Sequence, residues 1–124
     1  MEKERALLVG FYTDKAATAD LDESLDELAL LADTANYEVI GQTSQYRPNI
    51  DPAYLIGKGK VDEIASRITA GEADVVIFDE ELSPRQVRNL EEAMKCQVID
   101  RSELILIIFA RNAKTREAKT QVEI

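Results

Sequence analysis

The chain has 124 residues and a mass of 13.9 kDa, enough for one domain with a real core and too little for two. Its 45% hydrophobic and 31% charged residues exclude a disordered tail, and the absence of histidine excludes His-based triads, His metal sites and the commonest general base. A formal net charge of -9 argues against a free-standing nucleic-acid binder, but the charge is uneven: residues 1–57 hold 4 basic and 11 acidic groups, and residues 58–124 hold 11 and 13.

"ALLVGFYT" (Ala6 to Thr13) is a continuous apolar run, as expected for a strand covered on both faces, and no signal peptide precedes it. "LDESLDELALLADTAN" places Leu21, Leu25, Leu28 and Ala32 at helical spacing, with Asp20 as its predicted N-cap. "YEVIGQTSQY" (Tyr37 to Tyr46) reads as a second strand, and Arg47 to Ile56, with Pro48 and Pro52, as loop. A helix is predicted from Gly59 or Lys60, burying Val61, Ile64, Ala65 and Ile68 and ending by Gly71. "ADVVIFD" is the third strand. In "LSPRQVRNLEEAMK", Ser83 is an N-cap, Pro84 the first helical residue and Gln86 the partner in a capping box, so Val87, Leu90 and Met94 face the core.

"CQVID" is the fourth strand, and the lone Cys96 before it reads as a small core residue that forms no internal disulfide, in a reducing cytoplasm. With one Cys and no His, a zinc site would rest on carboxylates alone, so no metal is expected. Ser102 is the predicted cap of a last helix running from about Glu103 to the end. Its apolar run, Leu104 to Ala110, is too short to cross a bilayer. Strands alternating with helices predict an α/β three-layer sandwich with a four-stranded, mainly parallel sheet. Residues 1–101 form the α/β domain in this reading, and residues 102–124 open a helical linker or hairpin.

Three groups of residues invite a functional reading. Gly57-Lys58-Gly59-Lys60 at a helix start has the elements of a phosphate loop, backbone N–H groups and cations. A Walker loop, however, wants glycine where Tyr54 stands and a hydroxyl where Val61 stands, and a dinucleotide fingerprint wants glycine at Asp62. The plainer reading is a tight turn with solvated lysines. Acids gather at strand ends, Asp14, Asp79 with Glu80 and Glu81, and Asp100; they read as helix caps and solvated loop acids. A phospho-accepting aspartate would need paired acids after the first strand and a lysine after a later one. Basic residues Arg85, Arg88, Arg101, Arg111, Lys114, Arg116 and Lys119 form either a solvated face or a phosphate-contacting surface.

"YLIGKGKVDEI", "ELSPRQVRNLEEA", "VIDRSELIL" and "IFARNAKTREAKTQVE", in this order, resemble the N-terminal domain of the HflX family of ribosome-associated GTPases. The resemblance implies an α/β domain followed by a helical hairpin and a GTP-binding domain, with GTP and magnesium belonging to that further domain. It implies association with the large (50S) ribosomal subunit through ribosomal RNA, action in splitting and rescuing ribosomes under stress, and contact with the protein's own GTPase domain. Lys58, Lys60, Arg85, Arg88, Arg111, Lys114 and Arg116 are then the candidate RNA contacts, and Gly57 and Gly59 shape the loop. ATP on that loop is the alternative. Ile107, Asn112 and Thr120 depart from the family pattern, which commonly has an aspartate, a small or basic residue and a leucine there. No Walker loop, D-x-x-G or N-K-x-D motif occurs, so no catalytic residue and no GTP hydrolysis are expected of this chain.

Overall fold

The computed structural model describes the backbone of residues 3–123 and the side chains of residues 3–113. Strands β1 (Arg5–Tyr12), β2 (Glu38–Tyr46), β3 (Val75–Phe78) and β4 (Gln97–Asp100) alternate with helices α1 (Thr18–Thr34), α2 (Lys58–Thr69), α3 (Pro84–Met94) and α4 (Arg101–Glu123). The strands lie in the order β2-β1-β3-β4 and every ladder is parallel. The predicted three-layer sandwich is therefore present, with a wholly parallel sheet.

The two faces of β1 explain its unbroken hydrophobicity. Leu7, Val9 and Phe11 pack with Val61 and Ile64 of α2 and Leu90 and Met94 of α3. Ala6 and Leu8 pack with Leu21, Leu25 and Leu28 of α1 and Leu104 of α4. Gly10 lies under α1, where an added Cβ would stand 3.0 Å from the Leu21 and Leu25 methyls, so glycine permits the close approach. Sequence spacing located these stripes, although Ala65, Ile68 and Val87 are only partly buried.

Local chemistry sets the helix ends. The Ser83 hydroxyl accepts from Gln86 N–H at 3.1 Å and Gln86 Oε1 accepts from Ser83 N–H at 2.9 Å, completing the capping box. Lys95 closes α3 in the left-handed conformation, φ 56°, and Gly71 (φ 82°) follows α2.

Two predicted caps are corrected. Asp20 lies inside α1, which starts at Thr18 after a 3-10 turn (Lys15–Ala17) capped by Asp14. Ser102 lies inside α4; Asp100 takes the capping role instead, accepting from Glu103 N–H at 2.9 Å while its other oxygen accepts from Leu82 N–H. In both places an aspartate just after or at the end of a strand is already aimed at the next helix's N–H groups. Asp100 serves the first turn of α4 itself, whereas Asp14 serves the 3-10 turn and α1 then continues from Ala17 without a side-chain cap.

Candidate functional site

The loops at the carboxyl ends of the strands carry the polar chemistry, as expected of a parallel sheet. The glycine loop is a helix entry. Gly57 is the N-cap residue of α2 with an ordinary φ of -70°, and its N–H donates to Gln45 Oε1 at 2.7 Å. Among the described glycines only Gly71 has positive φ, so Gly57 and Gly59 do not build the alternating-handed backbone of an anion nest. A Cβ on Gly59 would meet nothing, whereas one on Gly57 would meet Arg47 Nη1 and Gln45 Nε2 at 3.3 Å. Gly57 thus makes room for Arg47 to lie across the start of α2. Lys60 is held inward: Nζ donates to Thr43 Oγ1 at 3.1 Å and pairs with Glu63 at 3.0 Å. Lys58 is exposed.

The preceding loop is tightly pinned. Asp51 Oδ1 accepts from the N–H groups of Ala53 and Tyr54, and Asp51 and Leu55 bridge through their backbones. Gln86 Nε2 and Asn89 Nδ2 of α3 donate to the carbonyls of Asp51 and Ala53. Buried Leu55 sits at φ 66°, a costly conformation for a bulky side chain, imposed by the packing around it.

The structure distributes the predicted basic residues over several surfaces. Arg85 and Arg88 are exposed on α3, and Arg88 lines an open groove of about 580 Å³ beside edge strand β4 with Glu91, Gln97 and Glu103. Arg111 is exposed on α4, whose core contacts lie on the opposite sheet face. The side chains of Lys114, Arg116, Lys119 and Thr120 fall outside the described residues. Ile107 packs, half-buried, against the α1 layer, and Asn112 is exposed. Two cations that sequence reasoning passed over join Lys58's end of the sheet. Arg47 lies over Gly57, and Lys15 Nζ stands 5.1 Å from the centre of the Tyr46 ring.

Arg101 proves to be internal rather than part of a basic surface, and Asp79 is not a solvated loop acid. The Asp79 carboxylate is 8% exposed and takes Arg101 Nη2 at 2.6 Å, Arg101 Nε at 3.1 Å and the Ser24 hydroxyl at 2.7 Å. Arg101 also donates to the Ser24 carbonyl at 2.9 Å and faces Glu27 at 3.5 Å. This cluster ties α1, the end of β3 and the start of α4 together. Beside it lies a shallow pocket of about 330 Å³, lined by Tyr12, Asp14, Asp20, Ser24, Asp79 and Glu80, at the β1–β3 switch point. Burial and then the Asp79 charge raise the Glu80 carboxyl above its ordinary range. Among the described residues no group of three or more acids or thiols is arranged to hold a metal ion. The Cys96 thiol is pushed up to about 11 by burial and by Glu91, leaving little thiolate at neutral pH.

Comparison with known proteins gives a consistent result. The family described as "GTP-binding GTPase N-terminal" matches residues 22–110. GTPase HflX of Caldanaerobacter subterraneus is 42% identical over 123 residues, 99% of this chain and 28% of that protein. GTPase HflX of Escherichia coli is 45% identical over 122 residues, 98% of this chain and again 28% of the relative. Among solved structures, a variant of SsGBP shares 28% identity with a TM-score of 0.69, covering 98% of this chain and 37% of that one. A GTP-binding protein of Sulfolobus solfataricus in complex with GDP, at 24% identity and a TM-score of 0.61, covers 86% of this chain and 30% of that one and shares the fold. The chain thus spans under a third of the length of these two curated relatives.

Proposed function

The chain belongs to the HflX family, as the N-terminal domain of these GTPases, and from that premise we propose that it docks its protein on the large ribosomal subunit in the cytoplasm. In this reading the domain contacts ribosomal RNA, performs no GTP hydrolysis itself, and supports a neighbouring GTPase domain in splitting and rescuing ribosomes under stress.

One observation carries the reading. On a chain of net charge -9, Arg47, Lys58, Arg85 and Arg88 have no carboxylate partner among the described residues. Cations kept unpaired on an acidic protein are available to phosphates, and phosphate contacts position a protein on RNA. The alternative, ATP on the Gly57–Lys60 loop, has weaker support because the Gly57 N–H and Lys60 ammonium already have protein partners.

The experiment is co-sedimentation with purified large subunits at low and moderate salt. Arg85→Glu with Arg88→Glu, and separately Lys58→Glu, should weaken binding and flatten its salt dependence. Binding unchanged by both would sink the docking role. Titration with ATP and GTP in magnesium should show no saturable binding, and ATP affinity lost on Lys60→Ala would favour the alternative.

A further inference from the structure

We propose that the carboxyl end of β2 is a preformed seat for one unpaired nucleotide of an RNA strand, its base against Tyr46 and its flanking phosphates on Arg47, Lys58 and Lys15. The proposal deepens the docking reading above and rests on it for the partner being RNA. Its own support is geometric. Tyr12 and Tyr46 are register partners at the ends of adjacent strands, with ring centroids 5.4 Å apart and planes tilted by 52°. Both rings are half-buried; Tyr12 packs at the edge of the α1-side core and borders the pocket of Asp14 and Asp20, while Tyr46 stands on the edge strand beyond it. An amphipathic ring pair left at a polar edge is the platform that sequence-tolerant base stacking requires.

The chemistry around the rings fits a nucleotide rather than a peptide side chain. Lys15 lies over the Tyr46 ring, a cation–π contact weak enough at an exposed site for a base to displace. The displaced ammonium then remains within reach of the adjoining phosphate. On the other side of Tyr46, Arg47 crosses Gly57 next to exposed Lys58, so two more cations follow the same chain end. Upstream on β2, Gln42 and Ser44 share the Tyr46 face by strand alternation and are exposed, because β2 is an edge strand that α1 leaves partly uncovered. These side chains offer polar contacts along a path leading to the rings. The seat is also rigid: the Arg47 N–H is fixed on the Tyr12 carbonyl at 3.0 Å, and the loop beyond is pinned to α3. Little ordering remains to be done on binding.

The test uses the 124-residue chain and fluorescence anisotropy with labelled single-stranded RNA hexamers, an RNA duplex, and unlabelled mononucleotides, including ATP, as competitors. Hexamers should bind more tightly than duplex or mononucleotides. Tyr46→Leu, which keeps an apolar side chain, should weaken hexamer binding about tenfold, the scale of one stacked base, while Tyr46→Phe retains it. Arg47→Gln should weaken binding and reduce its salt slope. Circular dichroism melts of each variant separate lost folding from lost stacking. Equal binding of duplex, mononucleotides as tight as hexamers, no hexamer binding, or indifference to Tyr46→Leu in a folded variant each overturn the seat. Co-sedimentation with large subunits decides the docking reading separately: subunit binding that persists in Tyr46→Leu leaves that reading standing and this inference refuted.

Discussion

Replacing Arg101 by Met should destabilise the domain by about 2–3 kcal/mol. The change keeps a long apolar stem but removes the guanidinium that contacts Asp79 through two nitrogens and Ser24 through its carbonyl and hydroxyl. Asp79, only 8% exposed, would be left with the Ser24 hydroxyl alone. Removing one partner of a buried pair costs about 3–5 kcal/mol, and the 24% exposure of Arg101 lets water recover part of that. Against a typical domain stability of about 5–15 kcal/mol the loss is large. Urea melts at neutral pH measure it through the midpoint at constant slope. A double-mutant cycle with Asp79→Leu isolates the pair: the double variant should be less destabilised than the sum by more than about 0.5 kcal/mol, the error of additivity for independent sites. Hydrogen exchange should also quicken in the first turn of α4. An Arg101→Met melt superimposable on the parent, or strictly additive single costs, would show that the cluster is decorative.

Three further outcomes are expected. Leu90→Ala, at a fully buried position, should cost about 2–5 kcal/mol in the same melts; a value near zero would put the core face of α3 elsewhere. Glu80 has its folded pKa raised, so its contribution to stability is fully present below the unfolded value of 4.5 and is lost as pH rises through the folded one. Glu80→Gln should therefore stabilise the domain relative to the parent at neutral pH and lose that advantage by about pH 4, and a pH-independent difference would refute the assigned cause. Cys96, with its pKa pushed up to about 11, should react with maleimide far more slowly than a free thiol at neutral pH; comparable rates would contradict its burial.

What the sequence disclosed was what is local. The α3 start was readable because Ser83, Pro84 and Gln86 act on one another within four residues. The buried stripes were readable because periodicity records which face is covered, and β1 because both are. Asp20 and Ser102 misled because a cap is decided by where the preceding strand delivers the chain. Asp14 and Asp100 arrive first. The Asp79–Arg101–Ser24 cluster joins residues 22 and 77 apart, and only the order β2-β1-β3-β4 brings them together. Lys60 looked like Lys58 in sequence; Thr43 and Glu63, which hold it, become neighbours through packing and the helical turn. Arg47 and Lys15 escaped notice because they sit in the strongly acidic first half, where an averaged charge conceals them.

The sandwich suggests how an acidic domain can approach RNA. Helix α1 carries Asp20, Asp22, Glu23, Asp26, Glu27 and Asp33 and no basic residue. The sheet separates it from α2 and α3, where Lys58, Lys60, Arg67, Arg85 and Arg88 stand against Asp62, Glu63, Glu91 and Glu92. Packed layers stand about 10 Å apart, so helices on opposite faces are separated by about 20 Å, roughly twice the screening length at physiological salt. Phosphates near the outer side of α2 and α3, or at the β2 end beside Arg47 and Lys58, therefore meet nearby cations that the local acids do not outnumber. An approach over the exposed face of α1 meets like charge alone on that helix. The same net charge that opposes non-specific binding thus selects an orientation. Weak, oriented contacts of this kind gain strength when a tethered neighbour holds the domain near its target, through the raised effective concentration. In this reading the acids of α1 supply directional selectivity, and the exposed cations supply the contact.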